Sequence, residues 1–171
     1  MTTPVKPHGF ITRSIHWVSA ALIAFGYFKG LDNVSQLADP NLLRTEVIFA
    51  LLLGGLFALR LFWTKKVAGH TRLPTDAPRW EKFASQAVHV GLYASVFLIV
   101  LSGLGIALGY TTPILSGLFL SAVIGLHEVA LAALPILLIT HIAGALWHRF
   151  VRQDGILESM VPGLSPIGKA G

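Results

Sequence analysis

The sequence predicts an all-α integral membrane protein, a four-helix bundle with both termini cytoplasmic. The prediction rests on long apolar stretches, a lopsided distribution of cations between the segments that join them, and histidines set inside the apolar stretches. Hydrophobic residues make up 54% of the 171 positions and charged residues 12%, against roughly 25% charged in soluble domains. A water-soluble domain of this length would need a charged exterior that this composition does not provide. The absence of cysteine excludes disulfides, thiolate metal sites, iron–sulfur ligation and c-type haem attachment together. Residues 1–13 carry no apolar core ahead of a small-residue cleavage site, so no removable signal peptide is expected and the first apolar stretch serves as a signal anchor.

A helical span needs ~20 mostly apolar residues to cross ~30 Å of hydrocarbon. The first candidate runs from about Ile15 to Leu31 and the second from about Leu42 to Trp63, without a charge between Glu46 and Arg60. The third runs from about Ala84 to Leu108, and the fourth from about Val123 to Phe150. Between the last two, Tyr110 to Ala122 is apolar but broken by Pro113 and Gly117, and reads as a loop or short interfacial helix. Three domains follow: a cytoplasmic segment 1–13, a transmembrane domain 14–152 and a cytoplasmic tail 153–171. Pro74 and Pro78 make the middle loop extended, and the Gly/Pro-rich tail after Val161 is expected to be mobile.

Lys6, Arg13, Arg60, Lys65, Lys66, Arg72, Arg79, Lys82, Arg149, Arg152 and Lys169 fall on one side of this topology, and only Lys29 and Arg44 on the other. Cytoplasmic loops carry the excess of Lys and Arg, so both termini and the 64–82 loop of a multi-pass membrane protein are expected in the cytoplasm. The same asymmetry accounts for the net charge of +5 without a nucleic-acid partner. Trp17, Trp63, Trp80 and Trp147 fall near the cytoplasmic helix ends, as an aromatic belt does.

Ionisable residues inside a span are costly and functional by default. In the fourth span His127, His141 and His148 are spaced by fourteen and then seven residues, which places all three on one helix face at 100° per residue. His127 and His141 stand ~21 Å apart along the axis, a separation that suits two stacked metal centres. Two imidazoles fill both axial positions of a b-type haem iron and limit rearrangement on redox change. His16, at the cytoplasmic start of the first span, pairs with His141 in depth. His89 lies in reach of that layer and His148 closer to the surface, each either a hydrogen-bonded bundle residue or part of a quinone site. His8 and His70 sit in polar context and read as surface residues. No three histidines fall at structural-zinc spacing beside a carboxylate or thiolate. Gly103, Gly105 and Gly109 allow close helix or porphyrin approach, Pro135 is expected to bend the fourth span, and Arg60 and Arg149 suit haem propionates.

These residues resemble the bacterial cytochrome b561 family, small di-haem, quinone-linked proteins of the inner membrane. The resemblance covers about residues 10–162. It rests on Ser14-Ile15-His16-Trp17, on Arg60, on His89 and Gly103, and on Leu126-His127-Glu128, His141 and Trp147-His148-Arg149-Phe150. It implies a four-helix bundle in which His16 and His141 bind the cytoplasmic-side haem b. His127 and a second-span histidine would bind the periplasmic-side one. It also implies electron exchange with quinone, and in some members superoxide:ubiquinone oxidoreduction. The alternative is a haem b anchor subunit carrying electrons for a separate dehydrogenase or hydrogenase, with a redox partner protein.

The match departs from the family at one position. Counting back from Arg60, the second-span ligand falls on Glu46, and that span has no histidine. A carboxylate is a hard, anionic substitute for imidazole. Three readings stand open: the second haem is lost and Glu46 faces His127, the haem is held by His127 alone, or Glu46 ligates directly or through water.

Overall fold

The computed structural model describes residues 8–29, 34–68, 77–112, 115 and 117–165. Among these the chain is helical with no strand, as the composition predicts. Helix α1 spans Phe10–Phe28, α2 Pro40–Trp63, α3 Arg79–Thr111, α4 Leu118–Trp147 and a short α5 Ile156–Met160. A 3₁₀ turn, Val34–Ala38, leads into α2. Asp39 caps α2 by accepting from the Asn41 N–H at 2.8 Å, and Pro40 occupies the first helical position, where its missing N–H costs nothing.

Among the described residues three helices are long and apolar enough to cross a membrane: Pro40–Val67, Arg79–Thr111 and Leu118–Arg152. The expected first span is not among them. The first half of α1 carries Thr12, Arg13, Ser14, His16 and Ser19, which lower its mean hydropathy, and Leu31 lies outside the described residues, as do Arg72, Pro74 and His70. On the crossing helices the apolar side chains point outward: Leu52, Leu101, Ile136 and Ile139 are 62–67% exposed. Contiguous apolar surface of that kind is untenable in water and normal against lipid.

The interior is a seam of Ile23, Leu53, Phe57, Val96, Val100 and Leu134, drawn from all four long helices. The closest packing is between α3 and α4, with α2 on α3 and α1 on α2. The glycines of α3 permit it. A Cβ at Gly109 would stand 2.9 Å from Leu120 Cδ1, and one at Gly105 3.0 Å from Val123 Cγ1. Helix packing therefore accounts for both positions.

Helix α1 meets α4 through side chains, and one contact follows from a proline. Pro135 lies inside α4 and has no N–H to donate to the carbonyl four residues earlier. That carbonyl belongs to Leu131, and the Tyr27 hydroxyl of α1 donates to it. The fourth helix then continues as a π-helical turn, His148–Arg152, ended by Gln153 at φ 52°. Gly155, at φ 80°, turns the chain back.

The residues just past α4 pack onto the bundle. Arg149 Nη1 donates to Glu158 Oε1 at 2.7 Å, Arg152 Nε lies 3.6 Å from Glu81 Oε2 of α3, and the Trp17 indole donates to the Met160 carbonyl at 3.0 Å. Residues 153–160 thus close one end of the bundle. Residues 166–171 lie outside the described residues.

Replacing Tyr27 by Phe strands the Leu131 carbonyl and should cost about 1 kcal/mol, read as a lower thermal midpoint in detergent. In a Pro135→Ala background residue 135 regains its N–H, so the same replacement should cost distinctly less. Equal costs in both backgrounds would contradict the pairing.

Candidate functional site

Four ionisable side chains from four helices converge at the end of the bundle that α5 closes. His16 comes from α1, Arg60 from the last turn of α2, His89 from α3 and His141 from α4. The His16 and His141 rings lie 6.3 Å apart between centroids. His89 and His141 are closer, 5.0 Å apart and edge to face. The sequence-predicted layer of His16, His89 and His141 is therefore one cluster. Its members share a depth because His16 and His89 sit early in helices running one way, and His141 late in a helix running the other.

Two of the three rings have a hydrogen-bond partner that fixes them. His89 Nδ1 donates to the Ser85 carbonyl one turn earlier at 2.6 Å, leaving its Nε2 free of protein hydrogen bonds from that contact. His16 Nδ1 lies 2.8 Å from Arg60 Nη2. A guanidinium only donates, so Nδ1 accepts and the neutral ring carries its proton on Nε2. Arg60 also lies over the faces of Phe57 and Tyr93, at 5.8 and 5.7 Å, which holds the cation in a largely apolar setting. Among the described residues no three His, Asp or Glu side chains converge as a lone metal ion would require.

His148 stands apart from the cluster. Its Nδ1 is 2.6 Å from Asp154 Oδ2, with side chains 12% and 5% exposed. Asp154 is held in turn by the Ile156 N–H, 3.2 Å from its Oδ1. Arg149 is engaged by Glu158, so the expected pairing of Arg149 with a propionate has no free cation behind it. Asp154 was not legible in the sequence, because its approach to His148 depends on the left-handed Gln153 and Gly155.

At the other end of the bundle Glu46 and His127, which face each other in one of the three readings left open above, have different partners. Glu46 is bound by Lys29, which ends α1, and the two side chains are 27% and 23% exposed. Lys29 also lies 5.0 Å from the Phe49 ring centroid. His127 is held by α3 instead. The Ser102 hydroxyl donates to the Leu98 carbonyl at 2.5 Å and accepts from His127 Nδ1 at 2.9 Å. The ring rests over Gly103, whose Cβ position is 3.5 Å from His127 Cε1. A carboxylate beside an apolar environment takes a cation in reach, here Lys29, while the His127 imidazole is bonded to Ser102. The sequence offered Lys29 only as a loop cation.

An all-helical membrane protein with imidazoles from different helices gathered at one depth has an arrangement that can hold a metal-bearing cofactor inside the bilayer. The profile described as prokaryotic cytochrome b561 matches residues 8–163, and the chain belongs to that family. It is a bacterial membrane protein of the b-type cytochrome class, which binds haem b and transfers electrons. No curated protein and no solved structure matches it.

Proposed function

We propose that the chain holds one haem b between α1 and α4, ligated by His16 and His141, and exchanges electrons with the quinone pool of the inner membrane. The observation that carries this reading is the 6.3 Å between the two rings. Imidazole–metal bonds are ~2.0 Å for first-row ions such as zinc, so two of them end to end, with a ring radius at each end, come to roughly 6 Å. The 5.0 Å edge-to-face contact of His89 with His141 is shorter than that sum and is a packing contact. A haem held there by His16 and His141 would supply a one-electron iron couple.

The protein's own groups do the rest. Ligation through His16 Nε2 requires the ring proton to move to Nδ1, which ends the acceptance from Arg60. The guanidinium, steadied over Phe57 and Tyr93, is then free to donate to a propionate carboxylate. His89 and His148 are the groups we assign to the quinone side of the reaction, His148 with its Nδ1 fixed by Asp154. Ubiquinone is the acceptor that the family resemblance suggests.

The second haem of the family does not fit these residues. Glu46 is committed to Lys29, and His127, on Ser102, is left as a single ligand. Superoxide oxidation at the periplasmic face relies on that centre, so we do not assign it. A role as anchor subunit for a separate dehydrogenase is the competing assignment, and a co-purifying flavin or iron–sulfur protein would favour it.

In the membrane we propose α1 as a fourth crossing, with both termini cytoplasmic, supported by the cations gathered at the α5 end. A reporter fused at Gly171 and active in the periplasm would overturn this orientation.

His16→Ala and His141→Ala should each abolish the low-spin haem b spectrum, since either removes one of two axial bonds to the same iron. Quinol-driven haem reduction by the purified wild type should be lost with it. Full low-spin absorbance in His141→Ala protein would refute the pair.

A further inference from the structure

Arg13 lies in α1, one turn before His16, and lines a cavity of about 410 Å³ with Phe10, Ser14, Trp17 and Pro162. Its Nε is buried and has no hydrogen-bond partner among the described residues. Three other arginines at this end are engaged: Arg60 with His16, Arg149 with Glu158 and Arg152 with Glu81. The carboxylates nearby face those cations and His148, and Glu81 Oε2 and Glu158 Oε2 are also buried without a hydrogen bond among the described residues.

A guanidinium donor shut away from water without an acceptor is costly, and water alone leaves the charge unbalanced. The forked donors of arginine match the oxygens of a phosphate, and the Ser14 hydroxyl adds a donor in the same cavity. The remaining walls, Phe10, Trp17 and Pro162, are apolar. Trp17 is pinned by its indole bond to the Met160 carbonyl, so this wall does not simply collapse onto Arg13. Phe10 is 79% and Trp17 46% exposed, which puts the cavity on the outer surface of the bundle, at the polar end of a helix whose apolar half follows. Phosphodiesters of lipid headgroups are concentrated at that depth, with acyl chains beside the apolar wall.

We infer that the Arg13 cavity binds the phosphate of an anionic phospholipid headgroup, with Arg13 and Ser14 as donors and Phe10, Trp17 and Pro162 against the glycerol and upper acyl region. An anionic headgroup is favoured over a zwitterionic one because the Arg13 cation then faces a net negative charge, whereas a choline beside the same phosphate offsets it.

The test uses delipidated, haem-loaded protein in neutral detergent, with binding of phosphatidylglycerol and of phosphatidylcholine read by native mass spectrometry. Phosphatidylglycerol should be retained at least ~10-fold more tightly, as a charge-assisted donor set implies. Arg13→Gln should remove that preference, Arg13→Lys should keep part of it, and Lys66→Gln, on the exposed face, should keep all of it. An unchanged haem spectrum in each variant shows that the fold is intact. Equal retention by Arg13→Gln and wild type would overturn the site. Displacement of the lipid by inorganic phosphate at millimolar concentration would overturn it in favour of a free-anion site, and displacement by a short-chain quinone in favour of a quinone site.

Discussion

Polar groups carried into lipid must find partners inside the protein, because no water is at hand to serve them, and the arrangement of this bundle depends on that constraint. Pro135 removes a backbone donor from α4, and Tyr27 reaches across from α1 to satisfy the carbonyl left behind. Ser102 returns its proton to its own helix and accepts from His127. His89 is tied to the Ser85 carbonyl. Each of these bonds also fixes where a side chain points, so satisfaction of the backbone and construction of the site are the same event.

The same constraint separates the two ends of the molecule. At the α5 end, imidazoles from α1, α3 and α4 share a layer with the Arg60 cation, and α1 meets α4 through side chains. That is an environment into which a flat, apolar macrocycle with carboxylates at its edge can be received. At the other end a single change of residue type matters. A carboxylate at position 46 draws in Lys29, and an ion pair stands on the helix that carries the second ligand elsewhere in the family. Family membership brings haem b to this chain, and the local chemistry then argues for one centre.

The helical fold, the outward apolar faces and the convergence of His16, His89 and His141 were legible in the sequence, because span length and the 100° step of a helix fix depth and face without knowledge of tertiary contacts. Three features were not. The first helix mixes polar and apolar residues so that its mean hydropathy falls below that of the other three. The return of residues 153–160 onto the bundle depends on positive φ at Gln153 and Gly155, which residue type alone does not announce for glutamine. The partner of Glu46 was missed because Lys29 was weighed as a topological cation, while its position at the C-terminal end of α1 brings its amine to the first turns of α2.

The central claim is that this chain carries a single haem b, bound between two imidazoles at the α5 end. It is tested most directly by a pyridine haemochrome assay on purified protein, normalised to polypeptide by amino-acid analysis. The account predicts a ratio near one for wild type, with a low-spin spectrum. A ratio near two would contradict it, and would mean that a haem is held at His127 despite the Lys29–Glu46 pair.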